Sequence, residues 1–178
     1  MKKLPRKFFE RPTLEVAEDI VGMVIVVGDK KAVIIETEAY FGDDAASHGA
    51  AGMTPRNFPM FGVAGHLYVY FIYGMYFCLN VTTEKKGFPA AVLIRGIKMI
   101  DSGESISGPG KLCIALGITK KHNDIDLCKS GGFYIADFGI RLKSKRTPRI
   151  GIKKNIHKKW RFAAVPENHP VPVRLIRT

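Results

Sequence analysis

Cysteine is scarce in this chain of 178 residues, which has only Cys78, Cys113 and Cys128. An odd number cannot all pair and none stands in a C-x-x-C, which argues against a disulfide scaffold and a structural zinc site and favours a reducing, intracellular setting. Long apolar runs are also missing. No stretch approaches the ~20 residues that a membrane-spanning helix requires. The basic N-terminus, Met1-Lys2-Lys3-Leu4-Pro5-Arg6-Lys7, is followed by no apolar h-region, so neither contact with a membrane nor a secretory signal is expected. There is no G-x-G-x-x-G and no P-loop, which removes support for a nucleotide-cofactor fold. The five histidines lack ligand spacing such as H-x-x-x-H, so no metal is expected. Acid is the scarcer charge: 16 Asp and Glu stand against 28 Lys and Arg, for a net charge of +12.

What is present suits a globular chain. Hydrophobic residues make up 46% and charged residues 25%, enough to bury a core and to exclude disorder as the main state. No repeat, linker or low-complexity tract divides the chain, so residues 1–178 read as one domain and a monomer. The basic excess is concentrated. Arg141 to Arg161 holds ten basic residues and no acid, interrupted by Leu142, Ile150, Ile152, Ile156 and Trp160. Such a run is either a solvated face or the footprint of a polyanion binder; the apolar interruptions mark it as folded rather than tail-like.

The pattern predicts an α+β fold built on a mostly antiparallel sheet. Thr13 is placed to cap a helix from about Leu14 to Val21. Met23 to Val27 and Ala32 to Ala39 read as a hairpin about Gly28-Asp29-Lys30-Lys31. Residues 41–61 read as a long loop of the kind that usually carries function. Leu67 to Tyr73 and Met75 to Thr82 flank Gly74 as a second, aromatic hairpin. Ala90 to Arg95, Phe133 to Ala136 and Ile140 to Leu142 read as strands, with one more possible where Ile150 and Ile152 alternate. A helix from Lys111 to Leu116 opens after Gly108-Pro109-Gly110 and ends at Gly117.

Three segments are candidates for chemistry. In Glu36-Thr37-Glu38-Ala39-Tyr40 the two acids share one strand face. They are either an exposed strand end or a carboxylate lining a cleft as general acid or base. The loop Asp43-Asp44-Ala45-Ala46-Ser47-His48 carries a histidine that is either structural or part of a pocket. The hairpin Tyr68-Val69-Tyr70-Phe71-Ile72-Tyr73-Gly74-Met75 places aromatics on both faces. It is either a core strand or a stacking platform with Tyr73 as a wedge at its tip.

Together these segments resemble the alkyladenine (3-methyladenine, methylpurine) DNA glycosylase family. The likeness also takes in Thr54-Pro55-Arg56-Asn57, Asn80-Val81, Val92-Leu93-Ile94-Arg95, Gly108-Pro109-Gly110-Lys111-Leu112, Arg149-Ile150-Gly151-Ile152 and Trp160-Arg161-Phe162, in the family's order and across nearly the whole chain. The resemblance implies a single domain with a curved antiparallel sheet, flanking helices and a protruding hairpin. It implies a base-excision-repair enzyme that flips alkylated or deaminated purines from double-stranded DNA and hydrolyses the N-glycosidic bond. Glu38 matches the general base that activates water, and Arg95 matches an arginine that helps hold that water. Ile152 matches a main-chain water contact. Tyr40, His48 and Tyr70 match the walls of the base pocket, Asn80 an asparagine that excludes normal guanine, and Tyr73 the intercalating residue. Arg56, Lys111, Arg146, Arg149, Lys153 and Lys154 are the expected contacts to the DNA backbone. Neither a metal nor an organic cofactor is implied, and no lysine nucleophile, so a monofunctional enzyme without lyase activity is expected. The competing readings are a non-catalytic damage-binding module, which needs no base at Glu38, and a small-nucleoside hydrolase, which needs no basic cluster.

Overall fold

Two long strands organise the rest of the chain. The computed structural model describes residues 1–165. In chain order it contains β1 (Lys2–Lys3), α1 (Arg6–Phe9), α2 (Thr13–Asp19), β2 (Val24–Val27), β3 (Lys30–Phe41), β4 (Leu67–Ile72), β5 (Tyr76–Thr82), β6 (Ala90–Met99), β7 (Ser105–Ser107), α3 (Pro109–Leu116), β8 (Phe133–Asp137), β9 (Ser144–Thr147) and β10 (Arg161–Ala164). The strands form one curled antiparallel sheet in the order β1-β8-β2-β3-β6-β5-β4, the α+β architecture expected from the pattern. Strands β3 and β6 pair along most of their length, from Ala32 opposite Met99 to Phe41 opposite Ala90. Each has two partners on its other edge. On β3, β2 takes the first half and β10 the second; on β6, β5 takes the first half and β7 the second.

The β3–β6 register breaks near Ile35, between Ile34 and Thr37. Such bulges raise the local twist and re-aim side chains. Here the break lies beside Glu36 and Arg95. Elsewhere the period-2 alternation holds. Thr37 and Ala39 on β3, Val92 and Ile94 on β6, and Val69 and Leu79 on β4 and β5 are fully buried. All but Thr37 join Phe9, Val16, Ile20, Leu112, Leu116 and Phe162 in the main hydrophobic core. Among the described residues no helix is long and apolar enough to cross a membrane.

Three local expectations need correction. Thr13 is the first residue of α2 rather than its side-chain cap. The capping acceptor comes from afar: Glu84 Oε1 receives the Thr13 amide at 2.7 Å and its hydroxyl at 2.9 Å. A carboxylate at a helix N-terminus also suits the helix dipole. Residues 140–142 form no strand, although Ile140 is buried in a small second core. The strand is Ser144–Thr147, which among the described residues is an edge segment paired only with β10, and it lacks the apolar alternation that would announce it. Residues 150–152 form no strand either.

The aromatic hairpin and α3 meet closely. The turn closes with the Met75 amide donating to the Ile72 carbonyl at 3.3 Å, with φ of 55° at Tyr73 and 67° at Gly74. Two left-handed residues in succession suit the strand twist, but for a tyrosine that conformation carries strain. Helix α3 starts with Pro109 and ends at Gly117, whose φ is 70°. Its Gly110 lies against the hairpin, where a Cβ would stand 2.8 Å from Tyr76 Cγ. Helix propensity alone favours alanine over glycine by about 1 kcal/mol. The close contact with the Tyr76 side chain reverses the sign: Gly110→Ala is expected to lower stability by about 1–3 kcal/mol, read as a lower denaturant midpoint at unchanged m-value.

Candidate active site

The sheet's alternation gathers side chains into one rung. Across four strands the register runs Tyr68–Asn80–Leu93–Glu38, and Arg161 of β10 continues it opposite Glu38. The next pairs toward the hairpin tip are Tyr70–Cys78 and Ile72–Tyr76. All of these except Arg161 face a cavity of about 450 Å³. Tyr40 and Arg95 complete its floor; Ala46, His48 and Met60 close one side. Residues 108–111 at the start of α3 and Ile150-Gly151-Ile152 close the others, and Tyr73 stands at the rim. The aromatics thus serve both faces of the hairpin: one face packs into the core at its base, the other walls the cavity.

Glu38 is the centre of this arrangement and is 0% exposed. A buried carboxylate needs partners, because desolvation costs several kcal/mol. Its Oε1 accepts the Ile150 amide at 2.8 Å and lies 3.4 Å from Arg95 Nε. Its Oε2 accepts the Tyr40 hydroxyl at 2.7 Å. Both acids of the motif are therefore buried, and the exposed-strand-end alternative falls away. The Ile150 amide is a contact that sequence reading did not single out. No side chain signals it, since any residue there would present the same N–H.

The ring geometry fixes the walls. His48 Nδ1 and the Tyr68 hydroxyl are hydrogen-bonded at 2.9 Å, and the His48 ring meets Tyr70 edge-on at 4.6 Å. Burial, with the Arg56 charge as a lesser cause, lowers the proton affinity of His48 below its usual value, so the ring is neutral at pH 7. Burial pushes the Tyr68 phenol up to about 12. Burial and then the Glu38 charge raise Tyr40, and burial raises Tyr70, so all three phenols stay protonated. Asn80 is buried and its Nδ2 donates to the Tyr68 carbonyl at 3.0 Å, which holds the side chain still. Tyr73 is 81% exposed at the turn, with Phe71 and Met75 also exposed beside it.

The expected DNA-backbone residues divide. Arg56 is exposed and donates to the Phe71 carbonyl at 2.9 Å. Lys111 is exposed on the cavity wall, and Lys153 and Lys154 are exposed. Arg146 is exposed and pairs with Glu18 at 2.5 Å. Arg149 is a correction. It is 5% exposed, with its guanidinium bound to Asp44 at 2.5 and 3.2 Å and to the Ala39 carbonyl at 2.9 Å. Tyr40 and Trp160 lie against it, 4.6 and 5.0 Å from its carbon. No face is left for a phosphate; Arg149 instead clamps the 149–155 loop over Glu38, helped by Asn155 on the same Asp44 oxygen at 2.6 Å.

Comparison with known proteins matches this chain to a family. The family model for methylpurine-DNA glycosylases matches residues 7–168. A relative from Wolbachia of Brugia malayi is 53% identical over 161 residues, covering 89% of this chain and 95% of its own. One from Sodalis glossinidius is 53% identical over 164 residues, covering 91% and 96%. One from Rickettsia felis is 51% identical over 162 residues, covering 89% and 91%. All three carry the provisional name 3-methyladenine DNA glycosylase.

The Asp44–Arg149 clamp has a measurable signature. Asp44→Asn strands a buried guanidinium and is expected to cost about 3–5 kcal/mol at pH 7, measured by urea unfolding. Burial alone would raise the Asp44 carboxyl, but the Arg149 and Asn155 hydrogen bonds outweigh it and hold it below the usual carboxylate range. A carboxyl lowered by folding stabilises fully above its unfolded value of about 3.9 and loses that contribution as pH falls through the lower folded value. The loss of stability across that acid range should be shallower in Asp44→Asn than in the wild type.

Proposed function

The chain belongs to the methylpurine-DNA glycosylase family, and on that premise we propose that it excises alkylated or deaminated purines from duplex DNA with Glu38 as the general base. The observation that carries this reading is the buried Glu38 carboxylate at the floor of an aromatic-walled cavity that opens beside an exposed tyrosine tip. Water is a poor nucleophile toward a sugar carbon. Glu38 takes a proton from it as the oxygen attacks C1′. The N-glycosidic bond breaks, its electron pair leaves with the purine, and an abasic site remains. The same carboxylate offsets the positive charge that gathers on the sugar. Arg95 Nε lies 3.4 Å from the same carboxylate, on the cavity floor where a water would sit.

The walls suit the leaving group. The rings of Tyr40, His48 and Tyr70 offer stacking surfaces to a flipped base, and an electron-poor alkylated purine stacks on them more strongly than a normal one. The anchored Asn80 is a fixed obstacle to the exocyclic amine of guanine, which is selection by repulsion. Tyr73 fills the gap the flipped nucleotide leaves, and its strained backbone is tolerated for that ring. Arg56, Lys111, Lys153 and Lys154 supply phosphate contacts, so binding weakens as salt rises. The product is an intact abasic strand, as a monofunctional enzyme leaves. Lys111 on the cavity wall gives a direct check: a Schiff-base step would be trapped by borohydride, and no trapped complex is expected.

The decisive experiment is single-turnover base release from duplexes carrying one hypoxanthine or ethenoadenine, and from methylated DNA. Glu38→Gln is expected to slow release by about 10²–10⁴-fold while binding to damaged duplex persists. Normal release by that variant refutes the assignment. Binding without release by the wild type itself would favour the damage-binding module. Tyr73→Gly is expected to weaken binding to damaged duplex more than binding to intact duplex. Its thermal stability should hold or rise by up to about 1 kcal/mol as the left-handed strain is relieved; equal binding losses argue against a wedge.

A further inference from the structure

Glu36, the other acid of the motif, is not an idle neighbour of Glu38. Its side chain is 10% exposed, and one oxygen, Oε1, accepts from Arg95 Nε at 3.1 Å and from Arg161 Nε at 2.6 Å. Arg161 is held in turn by the Thr147 hydroxyl at 3.0 Å. Space for the carboxylate exists because residue 96 is glycine: a Cβ there would stand 2.8 Å from Glu36 Cβ and 3.2 Å from Oε2. Two carboxylates and two guanidiniums thus form a charge-balanced cluster drawn from β3, β6 and β10, of which Glu38 and Arg95 line the cavity. We propose that Glu36, anchored by Arg161, is a positioning residue that fixes the Arg95 guanidinium beside Glu38.

The argument is one of donor geometry. Arg95 is held through its Nε edge, which points between Glu36 Oε1 at 3.1 Å and Glu38 Oε1 at 3.4 Å. Its two Nη groups make no hydrogen bond among the described residues, although the residue lines the cavity. They remain available to a water or an oxygen of the substrate. Without the Glu36 charge, Arg95 has one carboxylate left to satisfy. A guanidinium beside a lone carboxylate favours the bidentate fork. That fork spends the Nη donors and occupies the Glu38 oxygen that has to receive a proton. Glu36 therefore prevents a closed Arg95–Glu38 pair. A fold-only role, tying β10 to β3, would need no contact to Arg95.

This inference rests on Glu38 acting as the base. The test is single-turnover base release and equilibrium binding on the same damaged duplex, for Glu36→Gln, Glu36→Asp, Arg95→Met and the Glu36→Gln/Arg95→Met pair, with Glu38→Gln as control. Glu36→Gln keeps the volume and removes the charge. It is expected to slow release by about 10–100-fold while affinity stays within about twofold of the wild type. In the Arg95→Met background the same change should have no further effect on rate, because there is no guanidinium left to position. Glu36→Asp restores the charge and should recover part of the rate. It also serves as the test if Glu36→Gln does not fold. A normal rate in Glu36→Gln, an affinity loss that accounts for the rate loss, or additive effects in the double variant would overturn the proposal. Full activity in Glu38→Gln would instead overturn the reading on which it rests.

Discussion

A buried carboxylate governs this structure. Glu38 lies in the middle of a sheet, where a charge is tolerated only when its oxygens are occupied by donors. Each donor comes from a different part of the chain: Tyr40 from its own strand, Arg95 from β6, and the Ile150 amide from a loop 112 residues away. The loop is held by Arg149, and Arg149 by Asp44. Arg95 is held by Glu36, and Glu36 by Arg161. The satisfaction of one buried charge therefore fixes β3 against β6, β10 and the basic loop together.

The sheet contributes by register rather than by any single residue. Because side chains alternate, a rung that begins at Tyr68 and passes Asn80 and Leu93 must arrive at Glu38 on the same face. A shift of one residue in the β5–β6 pairing would turn Asn80 into the core and Leu79 into the cavity. The buried pairs Val69–Leu79 and Leu67–Val81 oppose such a shift, since they would then face the cavity. Core packing on one face of the hairpin thus sets the accuracy of the cavity on the other.

What the sequence disclosed follows from this division. The elements with a strong period were legible: β2, β4, β5 and α3 lie within a residue or two of where the pattern puts them. The pairing of Tyr68 with Tyr70, and of Glu36 with Glu38, on shared faces followed from alternation alone. Edge strand β9, Ser-Lys-Arg-Thr, could not be seen, because it buries too little to need a pattern. Residues 140–142 misled for the opposite reason: Ile140 is buried without being in a strand. Thr13 misled because its expected capping role went to Glu84, which is 71 residues distant. Arg149 was legible as a charge and not as a clamp, since Asp44 lies 105 residues earlier. Local pattern reports which face a residue takes; it does not report which distant residue meets it there.

The basic segment shows how one composition carries two physical tasks. Its ten cations read as a single positive field in the sequence. In the fold the four arginines are each matched to an acid: Arg141 to Asp137, Arg146 to Glu18, Arg149 to Asp44 and Arg161 to Glu36. Lys145, Lys153, Lys154 and Lys159 are exposed and form no ion pair among the described residues. The split follows from the side chains. A planar guanidinium matches carboxylates at fixed geometry and is desolvated at lower cost, whereas an ammonium keeps its water and its freedom. Screening separates exposed charges, Arg141 and Arg146 among them, from buried ones. Salt weakens exposed charges beyond about 10 Å but hardly reaches a buried pair such as Arg149–Asp44. Rising ionic strength therefore screens the exposed lysines, whereas the buried Arg149–Asp44 pair that holds the loop over Glu38 is hardly affected. The same twenty-one residues thus carry cations that respond differently to the solvent.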